Sequence, residues 1–224
     1  YSYPKMNITK VDYDAYWESK RGAEIGRLSD WQQIRANIII KRILPGTSIL
    51  DIGCGDGSIL TYIASKIKVG DMYGADSSTK ALDNLKNIQG FKLDISSTDS
   101  LRSLPDADYV LLLEILEHIM NPEEVLHLLY KKANKGVFFS FPNTGFFVYR
   151  LRLLFGRTPM QWRLHPSEHV RFWTLIDLKW WLTQLGYIHT SEIIFYKGVP
   201  ILKNIWPSLF AAGFIVSLQK RMQD

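Results

Sequence analysis

From Ser48 onward, short apolar runs alternate with segments of helical periodicity, and this alternation constrains the fold more than any other feature of the chain. Apolar runs of a few residues are typical of strands that are buried on both faces, and the segments between them have apolar residues three and four positions apart. Consecutive parallel strands need a helical crossover between them. The pattern therefore predicts an α/β fold.

More specifically, we predict a Rossmann-like, mostly parallel sheet of seven strands with helices on both faces. The predicted strands are residues 48–52, 71–75, 91–93, 108–113, 136–141, 188–196 and 209–218. A helix is predicted from Trp31 to Leu44, and two further helices are predicted to begin at Asn121 and at Thr174. Gly186 is predicted to end the last of these helices.

The length of 224 residues suits one domain, and we predict a single domain over residues 1–224. Residues 1–47 would form an N-terminal arm and helix. Residues 142–172 separate a strand from the next helix by about thirty positions, which is too long for an ordinary connection, so we predict a substrate-side insertion there.

Composition restricts the class of protein further. With 46% hydrophobic and 22% charged residues the chain is typical of globular proteins, and no apolar run is long enough for a membrane-spanning helix. A single cysteine, Cys54, excludes an intramolecular disulfide and a cysteine-rich zinc site, so we expect a reducing, cytoplasmic setting. Residues 131–173 carry eight basic side chains and one acidic one, which indicates either an anionic partner or a solvated basic surface.

A glycine-rich turn follows the first predicted strand and precedes a helix. Gly53, Gly55 and Gly57 let the backbone approach a ligand closely, and the helix start beyond them offers free N–H groups. Asp76 ends the next strand, where a carboxylate can accept both ribose hydroxyls. Asp94 ends the third strand and is followed by Ile95, which offers an apolar face to a ring. Because parallel strands end at one edge of a sheet, these residues should converge on one crevice.

This constellation resembles class I S-adenosylmethionine-dependent methyltransferases over nearly the whole chain. The resemblance implies S-adenosylmethionine as the cofactor and S-adenosylhomocysteine as the product. It further implies that Asp76 binds the ribose, that Asp94 lies at the adenine amino group and that the three glycines face the methionine part. Asp51 would organise the glycine loop and the methionine ammonium group.

Two further stretches extend the resemblance. The run from Asp108 to His118 is similar to the family's fourth-strand motif, which implies Glu114 beside the cofactor and Glu117 with His118 at the crevice rim. Downstream, the segments 140–143 and 156–159 resemble the MetW-like group of methyltransferase-fold proteins. MetW-like proteins suggest a second role, that of a non-catalytic, cofactor-binding partner of a biosynthetic enzyme.

Methyl transfer to a hydroxyl needs a group that removes a proton, and histidine is the natural base. We predict His169, in the insertion, as that base, with His118 and Glu117 as the other catalytic candidates; a structural role is the alternative for each. His165, Glu168 and His169 have the spacing of metal ligands, but Pro166 opposes a regular helix through them and a third strong ligand is missing. No metal is therefore expected.

Basic and aromatic side chains complete the predicted site. Arginine can grip a phosphate or carboxylate bidentately, so we predict a substrate-binding set in the basic window, with solvation as the alternative. This set comprises Arg150, Arg157, Arg163, His165 and Arg171. Tyr16 and Trp17 in the N-terminal arm would close over the cofactor's sulfonium through their ring faces, or pack in the core.

The leading hypothesis is an O- or N-methyltransferase for a small anionic metabolite or a sugar- or lipid-linked intermediate. An RNA methyltransferase is the second hypothesis, because of the basic segment, although the chain has no N-P-P-Y-like amine motif. The MetW-like binding partner is the third, and it would bind the cofactor without turning it over. The acceptor and the oligomeric state stay open.

Overall fold

The computed structural model describes residues 12–18, 25–159 and 168–220. Within these ranges seven strands form one sheet in the order β3-β2-β1-β4-β5-β7-β6, and β7 is antiparallel to both of its neighbours. The strands are β1 (Ile49–Ile52), β2 (Met72–Asp76), β3 (Gln89–Lys92), β4 (Ala107–Leu113), β5 (Ala133–Pro142), β6 (Ser191–Gly198) and β7 (Ala211–Gln219). The predicted Rossmann-like, mostly parallel sheet is confirmed.

Ten α-helical segments lie within the described ranges. They are α1 (Tyr13–Tyr16), α2 (Asp30–Ile40), α3 (Ser58–Lys66), α4 (Thr79–Leu82), α5 (Thr98–Arg102), α6 (Pro122–Lys132), α7 (Phe147–Leu154), α8 (Leu175–Gln184), α9 (Leu202–Ile205) and α10 (Pro207–Phe210). Among the described residues, no helix combines the length and the apolar character that crossing a bilayer would require.

The core consists of two hydrophobic clusters, one on each face of the sheet. Along β4, Val110 and Leu112 pack against α5, α6 and α8, while Leu111 and Leu113 point to the other face, against α2 and α3. Alternating side chains of one strand thus enter different clusters, and both clusters are apolar because helices cover both faces. This is why the central strands read as continuous hydrophobic runs in the sequence.

Local capping chemistry sets several helix boundaries. Thr174 and Asp177 form the predicted capping box at the start of α8, and Gly186 follows the helix with a φ of 77°. Asn121 precedes Pro122 at the start of α6 as expected, but its side chain makes no capping hydrogen bond. The helix predicted over residues 31–44 ends earlier, at Ile40, because Arg42 and Ile43 both donate to the carbonyl of Ile39 in a tightened last turn.

The last strand begins two residues later than predicted, because α10 occupies the preceding turn. Asn143, at the end of β5, is fully buried, and its side-chain amide donates to the carbonyls of Ser208 and Ala211 at 3.2 and 2.7 Å. One asparagine therefore joins the carboxyl end of β5 to the turn before β7. The same end of β5 leads into α7, which lies in the predicted insertion.

Candidate active site

A cavity of about 560 Å³ lies at the carboxyl ends of β2, β1, β4 and β5, within the range of roughly 300–1,000 Å³ typical of ligand sites. After β1, the chain adds β2 and β3 on one side of the sheet; from β4 it adds β5 on the other side. The cavity therefore lies where the order of the strands reverses, at the topological switch point of the sheet. We call the part beyond β1 and β2 the β2 end, and the part beyond β4 and β5 the β4 end.

Two glycines bring the backbone against the cavity at the β2 end. Gly53 and Gly55 line it with φ values of 71° and 56°, in the left-handed region that side chains disfavour. A Cβ on Gly53 would collide with the side chain of Ile115, and one on Gly55 would lie 2.5 Å from Cζ2 of Trp17. Only glycine leaves the space at these two positions free, and we call Gly53 and Gly55 together the glycine cradle.

The carboxylate of Asp76 is held at the cavity wall by backbone donors. It accepts hydrogen bonds from the N–H groups of Gly55 and Ser78, each at 2.8 Å, and the residue is 9% exposed. Burial raises the pKa of Asp76, while these hydrogen bonds oppose the increase. The side chain of Asp76 thus connects the glycine loop after β1 to the start of α4, and it lines the cavity where the predicted ribose would lie.

The described part of the N-terminal arm lies over this end of the cavity. Tyr16 and Trp17 both line it, as predicted for residues that cover a cofactor. The arm is fastened by Asp14, whose carboxylate accepts from the Ser78 hydroxyl at 2.5 Å and from the Lys80 N–H at 3.2 Å. The two aromatic rings are therefore positioned by hydrogen bonds to the same β2–α4 connection that orients Asp76.

Arg35 in α2 is a cavity residue that our sequence analysis missed. Its guanidinium donates to the hydroxyl of Tyr196 at 3.2 Å and lies 3.6 Å from the carboxylate of Glu114, which also lines the cavity as predicted. Among the described residues, Nε of Arg35 is buried and makes no hydrogen bond. The sequence contains one signal that could have identified Arg35, since it is the only basic residue of α2, a helix rich in isoleucine.

Glu114 occupies a strained position at the end of β4. Its φ is 60°, which is uncommon for a residue with a side chain, and its carboxylate accepts from the hydroxyls of Ser140 and Tyr196 at 2.8 and 2.9 Å. Such strain persists only where surrounding contacts hold it, and it is frequent at functional sites. Here the turn places Ile115, Glu117 and His118 along the cavity.

The predicted catalytic residues meet at the β4 end, although they are about fifty positions apart in the sequence. The backbone carbonyl of Glu117 accepts from the N–H groups of Val170 and Arg171 at 2.8 and 3.1 Å, which docks the segment 168–171 onto the turn after β4. His118 and His169 then pack edge to face with ring centroids 4.6 Å apart. Glu117, His118 and His169 each offer a ligand atom, and these atoms lie within 4.8 Å of one another.

Burial shifts the pKa values of this cluster in the direction that favours the uncharged forms. The pKa of Glu117 is raised well above its usual value by burial and by Glu114. Burial also lowers the pKa of His118, and burial together with His118 lowers that of His169 to about 4. His118 contacts the carbonyl of Glu168 through Nδ1 at 2.6 Å; because a carbonyl only accepts, Nδ1 carries the proton and Nε2 keeps its lone pair.

Three residues predicted to bind the cofactor do not line the cavity. Asp51 is 2% exposed behind the loop, and burial with Asp76 nearby raises its pKa to about 8. Gly57 begins α3, and a Cβ there would meet Leu85 and Ile88 instead of a ligand. The carboxylate of Asp94 accepts from the N–H and hydroxyl of Ser96, while its neighbour Ile95 does line the cavity as predicted.

The predicted substrate-binding arginines are not brought together at the cavity either. Arg150 donates to the carbonyl of Gly145 at 2.7 Å, and Arg171 donates to the carbonyl of Met120 at 2.7 Å, so both have local structural partners. Arg157 is exposed after α7. Arg163 and His165 lie outside the described residues. Arg150 and Arg171 thus pair with carbonyl groups and do not line the cavity, and the substrate-binding role of the set stays a prediction.

Comparison with known proteins decides the family. Residues 23–192 match the family described as "Methyltransferase domain". The chain belongs to this methyltransferase family. Over 146 residues it is 31% identical to the ubiquinone biosynthesis O-methyltransferase of Pseudomonas savastanoi pv. phaseolicola, a match that covers 61% of this chain and 62% of that protein's length.

Solved structures show the same fold. A SAM-dependent methyltransferase from Archaeoglobus fulgidus superposes with a TM-score of 0.63 at 20% identity, covering 93% of this chain and 99% of that one. The magnesium protoporphyrin IX methyltransferase of Synechocystis, solved with bound SAH, has a TM-score of 0.57 at 17% identity and covers 92% and 97% of the two chains.

The family confirms two of the predictions, the class I methyltransferase fold and S-adenosylmethionine as its cofactor. The described residues fit that cofactor, because the glycine cradle, the carboxylate of Asp76 and the buried guanidinium of Arg35 all face one cavity. The narrower resemblance to MetW-like proteins, the single-domain assignment and the cytoplasmic location stay predictions.

Proposed function

We propose that the chain transfers a methyl group from S-adenosylmethionine to the oxygen of a small hydroxyl compound. The observation that carries this proposal is the convergence of Glu117, His118 and His169 at the β4 end of a cavity whose β2 end has the form of a nucleoside site. Imidazole and carboxylate groups are suited to handling a hydroxyl proton. The name of the curated relative, an O-methyltransferase, supports the same choice of atom.

The proposed roles at the β2 end follow from charge and geometry. Asp76 would accept hydrogen bonds from the ribose hydroxyls, and Gly53 and Gly55 would face the methionine part of the cofactor. Arg35 would pair with the carboxylate of that part, because it is the only Arg or Lys among the described residues lining the cavity. Tyr16 and Trp17 would cover the sulfonium through their ring faces.

At the β4 end the chain would orient the acceptor and manage its proton. S-adenosylmethionine would supply the methyl group, whose C–S bond would break as the C–O bond forms, leaving S-adenosylhomocysteine. His169, the predicted base, would take the hydroxyl proton and pass it to water. Glu117, His118 and His169 would hold the hydroxyl, and Tyr149 would pack against the acceptor. Alignment of the two reactants is the larger part of such catalysis.

The acceptor is proposed as a hydroxyl compound without a required anionic group. The described arginines of the predicted set do not line the cavity, so an anionic acceptor would depend on Arg163 and His165. Oxygen is favoured over nitrogen because the turn after β4 reads E-I-L-E-H and supplies proton-handling side chains. The alternatives, RNA methylation and a MetW-like partner role, stay predictions.

Calorimetric titration with S-adenosylmethionine, S-adenosylhomocysteine and NAD tests the cofactor half of the proposal. We expect saturable binding of the first two and none of NAD. Methyl transfer is then measured by mass spectrometry with a catechol, an aromatic amine and a short RNA as acceptors. Transfer to the catechol alone supports the proposal, transfer to the amine or the RNA contradicts it, and binding without transfer to any acceptor favours the partner role.

A further inference from the structure

Within β6, all of whose residues the structure describes, Tyr196 alone is fully buried. β6 is an edge strand of the sheet, separated from β4 by β7 and β5. Tyr196 does not line the cavity, but its hydroxyl contacts Arg35 and Glu114, which both do. A residue at the edge of the sheet thus reaches two charged groups of the site.

The hydroxyl of Tyr196 links these two groups. It donates to Oε1 of Glu114 at 2.9 Å and accepts from Nη1 of Arg35 at 3.2 Å, because an ionised carboxylate only accepts and a guanidinium only donates. Burial and the nearby Glu114 raise the pKa of Tyr196 well above its usual value, so the hydroxyl keeps the proton that it donates. Both hydrogen-bonding roles of the hydroxyl are therefore in use.

Gly213 of β7 provides the space in which the ring of Tyr196 lies. The two residues are partners in the β6–β7 pairing, and a Cβ on Gly213 would lie 2.7 Å from Cζ and 2.8 Å from the hydroxyl oxygen of Tyr196. The φ of Gly213 is not in the left-handed region, so it is the close approach of the ring that requires glycine there. Trp31 also packs edge to face against this ring, with centroids 5.6 Å apart. Packing therefore fixes the position of the hydroxyl.

The contact with Tyr196 leaves part of the Arg35 guanidinium for a ligand. Arg35 contacts both Tyr196 and Glu114 through Nη1, the second at 3.6 Å, whereas its Nε is buried and makes no hydrogen bond among the described residues. A buried donor without an acceptor is costly, and a carboxylate would supply a charge-assisted one. The chain thus fixes one nitrogen of the guanidinium and leaves another without an acceptor.

We infer that Tyr196 is a positioning residue that aims the guanidinium of Arg35 at the carboxylate of the cofactor's methionine part. This inference rests on the proposed function, which assigns Arg35 to that carboxylate. An arginine side chain loses much rotamer freedom when it is fixed in one geometry. Because the Tyr196 hydroxyl fixes Arg35 before the cofactor binds, less of that cost opposes binding.

The Tyr196 hydroxyl should therefore matter only for a cofactor that carries a carboxylate. Decarboxylated S-adenosylmethionine has the same nucleoside, sulfonium and amino group but no carboxylate, so its binding should not depend on this hydroxyl. A tyrosine that merely stabilised the fold would affect the binding of both compounds alike. The ratio of the two affinities thus distinguishes a positioning role from structural support.

The test is Tyr196→Phe, which removes the hydroxyl and keeps the ring in the space beside Gly213. Calorimetric titration of the full chain measures its affinity for S-adenosylmethionine and for decarboxylated S-adenosylmethionine. We expect the variant to bind S-adenosylmethionine about fivefold more weakly, as for the loss of one hydrogen bond of ordinary strength, and to bind the decarboxylated compound within about twofold of the original protein.

Tyr62→Phe is the matched control, because the Tyr62 hydroxyl also contacts α2, through Gln33 and Asn37, but lies outside the cavity. This variant should bind both compounds like the original protein. Thermal unfolding checks that each variant is folded.

The outcomes separate this inference from the proposed function. If the original protein prefers S-adenosylmethionine and Tyr196→Phe leaves that preference unchanged, or weakens the binding of both compounds equally, the inference is overturned and the assignment of Arg35 stands. If the original protein binds both compounds equally well, the assignment of Arg35 and the inference fail together. If the preference shrinks as expected but catechol is not methylated, the inference stands and the proposed reaction is contradicted.

Discussion

The two ends of the cavity differ in how their buried polar groups are satisfied. At the β2 end the carboxylate of Asp76 accepts hydrogen bonds from two backbone N–H groups, so its position is set before any ligand binds. At the β4 end Glu117 is more deeply buried, and neither of its oxygens has a hydrogen-bond partner among the described residues. Hydrogen bonds of the chain therefore fix the carboxylate at the β2 end, whereas none within the described residues fixes the carboxylate of Glu117 at the β4 end.

Loss of the Asp76 carboxylate should have the largest effect on the β2 end. Asp76→Ala removes the proposed acceptor for two ribose hydroxyls, and hydrogen bonds to a charged group contribute about 1.5–3 kcal/mol each, so S-adenosylmethionine affinity should fall at least ~100-fold. Calorimetry measures the change. Asp71→Ala, just before the start of the same strand, is the control and should bind normally. Unchanged affinity in Asp76→Ala would remove the ribose role from this residue.

Arg35→Lys tests whether the guanidinium of Arg35 contributes to cofactor binding at the β2 end. Lysine keeps the charge but cannot make a bidentate contact with a carboxylate, so we expect roughly tenfold weaker cofactor binding. Arg42→Lys is the control, since Arg42 lies just beyond α2 and pairs with Glu192 outside the cavity. Equal cofactor affinity in both variants would show that Arg35 only supports Glu114 and Tyr196.

Adding a methyl group at Gly55 should lower cofactor affinity less than the changes at Asp76 and Arg35 do. Gly55→Ala brings a Cβ to 2.5 Å from Trp17 at a φ of 56°, which displaces the arm and strains the backbone by about 1–2 kcal/mol. Cofactor affinity should fall about fivefold, with less loss when the change is made in a Trp17→Ala background. Gly46→Ala has similar strain in open space and should lower only the thermal stability. An equal loss in both backgrounds would contradict the contact with Trp17.

The pH dependence of stability tests Asp51, which is buried behind the glycine loop and does not line the cavity. Burial raises the pKa of Asp51 to about 8 in the folded protein, above its value of about 3.9 in the unfolded chain, with Asp76 raising it further and Arg35 opposing. The folded state therefore binds more protons between these values, so this group's contribution to stability falls as pH rises from about 4 to about 8 and then levels off.

Asp51→Asn should remove that slope, because asparagine does not titrate. Urea unfolding at about pH 5.5, 7 and 8.5 measures the free energy of unfolding of both proteins, and the variant should lose less stability as the pH rises. Parallel profiles for the two proteins would show that Asp51 has an ordinary pKa in the folded state.

The β2 end could be predicted from the sequence because its signals are local. Gly53, Gly55 and Asp76 lie at the ends of strands whose order and direction follow from the β–α alternation, so their convergence is a property of the fold class. Asp51 and Gly57 show the limit of that reasoning. Both belong to the same motif, but the pleat and the helix start turn Asp51 into the core and pack Gly57 against Leu85 and Ile88.

From the sequence, the residues of the β4 end could be predicted one by one, but their contact with one another could not. In the sequence, His165, Glu168 and His169 have the spacing of metal ligands, but they lack a third strong ligand. The structure instead places His169 beside Glu117 and His118, through backbone hydrogen bonds between residues about fifty positions apart. Charge predicts a substrate role for Arg150 and Arg171, and the structure adds that both donate to backbone carbonyls of the folded chain.

The sequence by itself determined the sheet, the glycine loop and the position of the Asp76 carboxylate at a strand end, because periodicity and strand-end chemistry act over a few residues and repeat across the fold class. Only the tertiary structure decided that Arg35 enters the cavity, that Arg150 and Arg171 pair with backbone carbonyls away from it, and that two histidines and a glutamate share one buried cluster. Those outcomes depend on which distant backbone groups meet, and burial then sets the charge of each side chain.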